Sequence, residues 1–257
     1  MNKTLLALAS TVALTALPQW ALAQTTPAAP APAEATSPLS FNVSLTSDYR
    51  YRGISQSRLK PAVQGGVDYA LPAGFYIGAW ASTIKWVKDF GGDSDVEIDV
   101  YGGYKGEIAK DLTFDVGVLT YQYPSNKLNP SANTTELYGA LTYGPATLKY
   151  SHALTNTFGN PESKNSYYVE LAAGFDVGWG MTLTPHVGYQ KIKGPFSDAA
   201  TYTDYALGLS KDFSGFLVTV SVVGTDADKN FYIPGPSANS TKFLGKTAGV
   251  VSVKYTF

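Results

Sequence analysis

The sequence predicts an all-β protein, a transmembrane antiparallel up-and-down β-barrel of about twelve strands. Three observations predict it. From Ser40 onward, apolar and polar residues alternate in runs of roughly 9–13 residues, the length a tilted strand needs to cross a bilayer. The gaps between runs are tight and long by turns. The last run, Gly249 to Phe257, sets Gly249, Val251, Val253, Tyr255 and Phe257 on one face, with Val250, Ser252, Lys254 and Thr256 on the other. An aromatic edge of that kind needs pairing with the first strand, and an apolar face of that kind needs lipid.

Composition agrees. The chain has 257 residues, 25 Gly, 18 Tyr, no Cys and a formal charge of −1. Charged residues make up 15%, against about 25% in ordinary soluble domains. Without Cys there are no disulfides, thiolate metal sites or Cys nucleophiles. A near-neutral chain lacks the basic footprint of a nucleic-acid partner. After the N-terminal region no apolar run reaches the length of a spanning helix.

Taken in order, Lys3, the apolar run Leu5 to Leu17 and the small-x-small site Ala21-Leu22-Ala23 predict a signal peptide over 1–23. Residues 24–39, rich in Pro and Ala, read as a disordered periplasmic tether. The barrel is expected over 40–257. Its runs are Ser40–Arg52, Pro61–Leu71, Gly74–Trp86, Asp95–Lys105, Leu112–Tyr123, Thr135–Tyr143, Ala146–Thr155, Ser166–Val177, Met181–Lys191, Tyr202–Lys211, Phe216–Thr225 and Ala248–Phe257. Tight turns fall at 71–74, 107–111, 143–146, 177–180 and 211–215. Long polar loops fall at 53–60, 87–94, 124–134, 156–165, 192–201 and 226–247. An even strand count puts both chain ends on the short-turn, periplasmic side. The last loop, with Pro234-Gly235-Pro236, is long enough to fold inward. A soluble sandwich gives the same alternation, but these runs are long for it, and their polar faces mix Gly, Tyr and charges.

The apolar sets assign Phe41, Val43 and Leu45, then Val63, Val67 and Tyr69, to lipid. Val96, Ile98 and Val100, then Phe114, Val116 and Val118, and finally Phe216, Val218, Val220 and Val222 join them. The third run is ambiguous. Lys85 inside and Trp86 at an outer girdle would turn Tyr76, Gly78 and Trp80 outward and Phe75, Ile77 and Ala79 inward. The inward set then holds ten acids: Asp48, Asp68, Asp95, Glu97, Asp99, Asp115, Glu136, Glu170, Asp176 and Asp204. It holds six bases: Arg50, Arg52, Lys85, Lys105, Lys149 and Lys254. His186 joins them. Two readings stand side by side: paired ladders that brace the wall, and an acidic excess that favours cations in a pore. The nearest acids on adjacent strands are expected to be Glu97 and Asp99 against Asp115. The loops lean basic, through residues such as Arg58, Lys60, Lys127 and Lys242, which suits lipopolysaccharide phosphates and equally suits ordinary solvated loops.

Ser47-Asp48-Tyr49-Arg50-Tyr51-Arg52-Gly53-Ile54-Ser55-Gln56 resembles the opening signature of the TorF-type porin family. Pro61 to Tyr69, Gly74 to Ser82 and Glu97 to Tyr104 are similar to its following blocks. The resemblance runs from about Phe41 to the end and is sharpest in the first third. It implies a bacterial outer-membrane barrel with a loosely defined transport role, and it brings no catalytic residues. An aromatic last residue, here Phe257, also resembles the ending that the barrel-assembly machinery uses. In the signature, Asp48, Arg50 and Arg52 fall on one stripe, with Asp68, Glu97 and Asp99 as candidate partners across the lumen.

There are two His and no metal, phosphate-loop or hydrolase-elbow motif, so neither cofactor nor metal is expected. His152, outward near a loop, with Asn165 and Ser166 opening the next run, permits a lipid-face hydrolase. An interfacial His in an aromatic girdle is the plainer account, and Ser166 falls on the inward parity. The sequence therefore reads as a porin-like outer-membrane channel for small polar or ionic solutes, mildly cation-favouring. Its candidate lining is Asp48, Arg50, Arg52, Asp68, Glu97, Asp99, Asp115, Glu136, Lys149, Glu170 and His186. A phospholipase-like barrel and a closed structural or adhesive barrel are the alternatives.

Overall fold

The computed structural model describes residues 37–257. The expected signal peptide and residues 24–36 of the expected tether lie outside the described residues. Fifteen strand segments follow in order: β1 (Leu39–Thr46), β2 (Arg50–Tyr51), β3 (Ile54–Ser55), β4 (Ala62–Ala70), β5 (Phe75–Thr83), β6 (Val96–Ala109), β7 (Leu112–Gln122), β8 (Thr134–Tyr143), β9 (Ala146–Ala153), β10 (Tyr167–Ala173), β11 (Phe175–Asp176), β12 (Met181–Lys191), β13 (Tyr202–Phe213), β14 (Phe216–Thr225) and β15 (Ala248–Thr256).

Twelve of these close one antiparallel barrel. Each pairs with its neighbour in chain order, with β10 passing to β12, and β15 returns to β1. β2 and β3 form a separate two-residue hairpin, and β11 is a short extension beside β12. Closure works as the alternation of the last run requires. Val43 stands opposite Tyr255 and Leu45 opposite Val253. Phe41 and Phe257 exchange backbone hydrogen bonds of 2.8 and 2.9 Å, and their rings stack at 5.8 Å. Among the described residues the barrel keeps no open edge for another chain to pair with. Leu39, assigned above to the tether, is already in the sheet, opposite Tyr69.

The outside of the barrel is apolar. Leu45 is 60% exposed, Val63 52% and Val220 54%. A contiguous exposed apolar surface of this kind marks contact with lipid or protein. Aromatic rings gather at both rims, as Phe75, Tyr104 and Phe114 at the short-turn end and Tyr150, Tyr167 and Tyr189 at the loop end. Paired girdles of this sort flank the apolar band of outer-membrane barrels. No helix among the described residues is long and apolar enough to cross a membrane; the strands supply the crossing length.

The third run corrects the expectation. Phe75 and Ile77 face outward, 53% and 51% exposed, while Tyr76 and Trp80 point into the barrel. There the Tyr76 hydroxyl donates to Asp115 at 2.5 Å, and Trp80 packs edge-on against Tyr49 at 5.5 Å. Trp86 packs against Tyr123 rather than standing at an outer girdle, and Lys85 is exposed. The inward aromatics have room because glycine faces them. A Cβ on Gly78 would run into the Tyr101 ring, and one on Gly117 into the Tyr138 ring.

Candidate functional site: the lumen and its outer mouth

The first run does not continue as a strand to Arg52. The chain leaves the sheet after Thr46, and residues 47–61 fold into the loop-end half of the barrel. Arg52 and Gly53 take positive φ of 45° and 77°. Gly53 is needed there, because any Cβ would strike the side chains of Thr225 and Asp204. This turn carries Arg52 to the opposite side of the ring. Its guanidinium bonds Glu136 of β8 through both carboxylate oxygens, at 3.1 and 2.7 Å, and Gln190 of β12 at 2.5 Å. It lies over the Tyr168 ring of β10 at 4.3 Å. A forked guanidinium matches a carboxylate bidentately, so one residue ties the inserted segment to the far wall.

Asp48 and Arg50 pair with each other at 2.6 Å. Asp48 also accepts from Ser55 and Ser57, and Arg50 donates to the carbonyls of Gly53 and Lys246. The ladder therefore does not run from Asp48 and Arg50 to Asp68, Glu97 and Asp99. Glu97 accepts from Tyr49 at 2.5 Å and from Tyr123 at 2.7 Å. Asp68 accepts from Tyr101 at 2.6 Å. Asp99 is buried between its cross-strand neighbours Trp80 and Tyr121, and its Oδ1 meets no hydrogen-bond donor. Asp115 stands opposite Lys105, not opposite Glu97 or Asp99, so the expected acid-on-acid pairing does not form.

Farther round, Lys149 lies across the Tyr138 ring at 4.6 Å and stands opposite Glu170. His186 contacts Glu170 at 3.0 Å, and Tyr168 donates to Asp204 at 2.9 Å. Sequence reasoning missed the part played by tyrosine. Tyr49, Tyr101, Tyr121, Tyr123 and Tyr168 all donate within the barrel to acids or to one another; parity pointed inward for all of them but Tyr49, whose parity pointed to lipid.

From β12 through β15 and on to β1, many inward residues are instead small, namely Thr184, Gly208, Ser210, Thr219, Ser221, Ser252 and Ser44, set between the longer His186, Gln190, Asp204 and Lys254. At the short-turn end Asp68, Tyr76, Lys105, Asp115 and Lys254 are only half-buried, so the lumen widens toward that mouth. Of the expected inward charges, Asp95, Asp176 and Lys85 are exposed. Asp95 pairs with Lys88 at 2.9 Å at the loop end, and Asp176 caps a tight turn by accepting from the Gly178 N–H at 2.8 Å. Of the expected set, eight acids and five bases remain inside or on the inserted segment, which also carries Arg58 and Lys60.

The last long loop does turn over the mouth. Tyr232 stacks edge-on with Tyr202 at 5.0 Å, and Leu244 packs with Ile54. It is residues 47–61, though, that cross the lumen. Among the outer loops, hydrogen bonding from Lys127 and its charge hold the Asp93 carboxyl below the usual carboxylate range, and Lys88 does the same for Asp95. Above Arg52 all six long loops enclose a cavity of about 860 Å³.

The hydrolase set is only partly assembled. His152 contacts Asn165 at 3.2 Å and Tyr150 at 3.0 Å. Ser166 is fully buried, donating to the Ser163 carbonyl at 2.6 Å and accepting from the Lys193 N–H at 2.9 Å. Among the described residues no group of three or more His, Cys, Asp or Glu is placed to hold a metal ion.

The sequence model of one family, described as "Bacterial protein of unknown function (Gcw_chp)", matches residues 31–257, and the chain belongs to that family. No curated protein sequence matches. Among solved structures, a NanC porin aligns with a TM-score of 0.52 at 10% identity, covering 85% of this chain and 98% of its own. The outer membrane protein OprD from Pseudomonas aeruginosa aligns with a TM-score of 0.39 at 14% identity, covering 88% of this chain and 66% of its own. The first likeness supports the fold; the second carries no further argument.

Proposed function

We propose that this member of the Gcw_chp family is a porin-like outer-membrane channel for the passive diffusion of small polar or ionic solutes. The observation that carries the reading is the closed barrel with an apolar outer band and a polar interior, one arc of which is lined largely by small residues. The short turns lie on the periplasmic side and the long, basic loops outside, against lipopolysaccharide. Export uses the N-terminal signal peptide, and the strand ending at Phe257 is the handle for the barrel-assembly machinery. Arg52 and its inserted segment make the passage narrow, because they bridge from one wall to the other. The eight acids and five bases of the expected set left inside give a mild cation preference, since counter-ions concentrate in a confined passage of one sign.

A closed structural or adhesive barrel is the second reading, favoured by the Arg52 bridge itself. Planar-bilayer recordings on refolded protein separate the two. Stepwise conductance with a cation-leaning reversal potential is expected. A silent bilayer, from protein shown to be folded by its gel shift on heating, would transfer the reading to the closed barrel.

A further inference from the structure

The loop end of this molecule carries many charges, yet none of them reaches the cavity above Arg52. Lys88 pairs with Asp95 and Lys127 with Asp93, and all four side chains are turned to solvent. Among the described residues that line the cavity, none is an Asp, Glu, Lys, Arg or His. The lining is of two kinds, apolar and uncharged polar, and the apolar part includes Ile54, Leu128, Ile192, Ile233 and Leu244. Tyr51, Trp86, Phe90, Phe158, Phe196 and Tyr232 supply aromatic surface. Gln56, Asn129, Asn160, Asn230 and Ser240 supply amides and a hydroxyl. Its volume of about 860 Å³ falls within the range of small-molecule sites, about 300–1,000 Å³.

We infer that this outer vestibule is a binding site for an uncharged saccharide, a solute class taken up ahead of the Arg52 bridge. The inference rests on the channel reading and names a substrate class for it. An ion entering a cavity without counter-charges would lose hydration with nothing to replace it. A wholly apolar ligand would strip water from the amides and leave them unsatisfied. A neutral sugar answers both halves of the lining. Its C–H faces lie against aromatic rings and leave water, while its hydroxyls exchange hydrogen bonds with amides that both donate and accept. The floor of the cavity is Tyr51 and Gln190. Gln190 accepts from Arg52 at 2.5 Å, so the sugar sits directly over the bridge that crosses the lumen.

The test uses the full mature chain, folded in detergent, with maltose and raffinose as probes and gluconate and indole as controls. Calorimetric titration should show saturable binding of at least one sugar, with an affinity that is the same at low and high salt because no lining charge is there to be screened. Phe90 and Phe196 are both about half exposed, so their removal leaves the barrel standing; the heat-dependent gel shift checks this. The double variant Phe90→Ala/Phe196→Ala should weaken sugar binding about tenfold. Absence of saturable binding by both sugars, or equal or tighter binding of gluconate or indole, overturns the inference. Bilayer recordings keep the two proposals apart. Conductance that sugar does not alter, with no calorimetric binding, removes the saccharide site and leaves the channel. Sugar binding without conductance leaves the site and removes the channel.

Discussion

Along β5 to β10 the inside of the barrel is crowded with tyrosine and acid, while along β12 to β15 and on to β1 much of it is Ser, Thr, Gly and Ala, with His186, Gln190, Asp204 and Lys254 as the longer exceptions. Both arcs come from the same alternating strands and the same closed sheet. They differ in what each inward position does. On the crowded arc Glu97, Asp115 and Glu136 accept from phenols or from Arg52, so these side chains fill the interior as a bonded network. On the bare arc the Ser, Thr, Gly and Ala side chains are too short to reach a partner across the lumen, which only longer residues such as Gln190 do, and two buried hydroxyls, Thr184 Oγ1 and Thr219 Oγ1, have no hydrogen-bond partner among the described residues. Bulk on one side and less of it on the other place any passage off-centre, along the bare arc, with Arg52 crossing from segment 47–61 to β8 and β12 and with Tyr49 and Tyr51 crossing to β6 and β7.

The largest expected effect comes from cutting the Arg52 crossing. Arg52→Ala leaves Glu136 buried without its cation, and losing one partner of a buried ion pair costs about 3–5 kcal/mol. Denaturant midpoints in detergent should fall accordingly, and single-channel conductance should rise. Arg52→Leu with Glu136→Leu removes both charges and should recover most of the stability while keeping the raised conductance. If conductance is unchanged in a folded variant, Arg52 is a brace and not the constriction. Next in size is overpacking. Gly117→Val on the crowded arc drives a side chain into the Tyr138 ring and the Gly102 carbonyl, a cost of about 1–3 kcal/mol. Ser252→Val on the bare arc should cost less than Gly117→Val in the same measurement. Equal losses would erase the distinction between the two walls.

Much of this was legible from residues alone, and the exceptions have causes. The strands, the short and long gaps and the closure through Phe257 follow from a period-two pattern, which a lipid exterior enforces over the whole outer face. Segment Ser47 to Arg52 keeps that period after leaving the sheet, so parity could not show that Asp48, Arg50 and Arg52 belong to an inserted loop; the positive φ at Arg52 and Gly53 is what turns the chain. The third run was misassigned because aromatic residues suit lipid and a tyrosine-lined lumen equally well. Only the acids elsewhere on the inner wall, such as Asp115 two strands from Tyr76, decide it. Pairing of Asp115 with Lys105 instead of the acids depends on register, which composition does not carry.

A smaller effect is expected on selectivity. Glu97 is held by two phenols and Asp99 by no donor to its Oδ1, so their charges are not cancelled by bases in contact. Glu97→Gln with Asp99→Asn should move the reversal potential toward zero, by an amount that shrinks as salt rises. Both acids lie on the crowded arc, so the shift should be modest compared with the conductance change at Arg52. Anion preference in the wild type would mean that Arg50, Arg52 and the basic loops govern the pore.

The smallest expected effect is at His152, on the outer face beyond both arcs. Its ring contacts Tyr150 and Asn165 at the loop-end girdle, and its loss should cost only what exposed hydrogen bonds are worth, at most about 0.5–1.5 kcal/mol. A hydrolase would need Ser166 as nucleophile, with its hydroxyl accessible to lipid and its proton passing to His152. Ser166 is instead buried, its proton engaged by the Ser163 carbonyl and its oxygen by the Lys193 N–H. Wild type and His152→Ala should therefore release fatty acid from phospholipid vesicles at the same background rate. Turnover by the wild type that disappears in His152→Ala and in Ser166→Ala would show that this strand end rearranges in lipid, and would make the outer face, rather than the lumen, the seat of function.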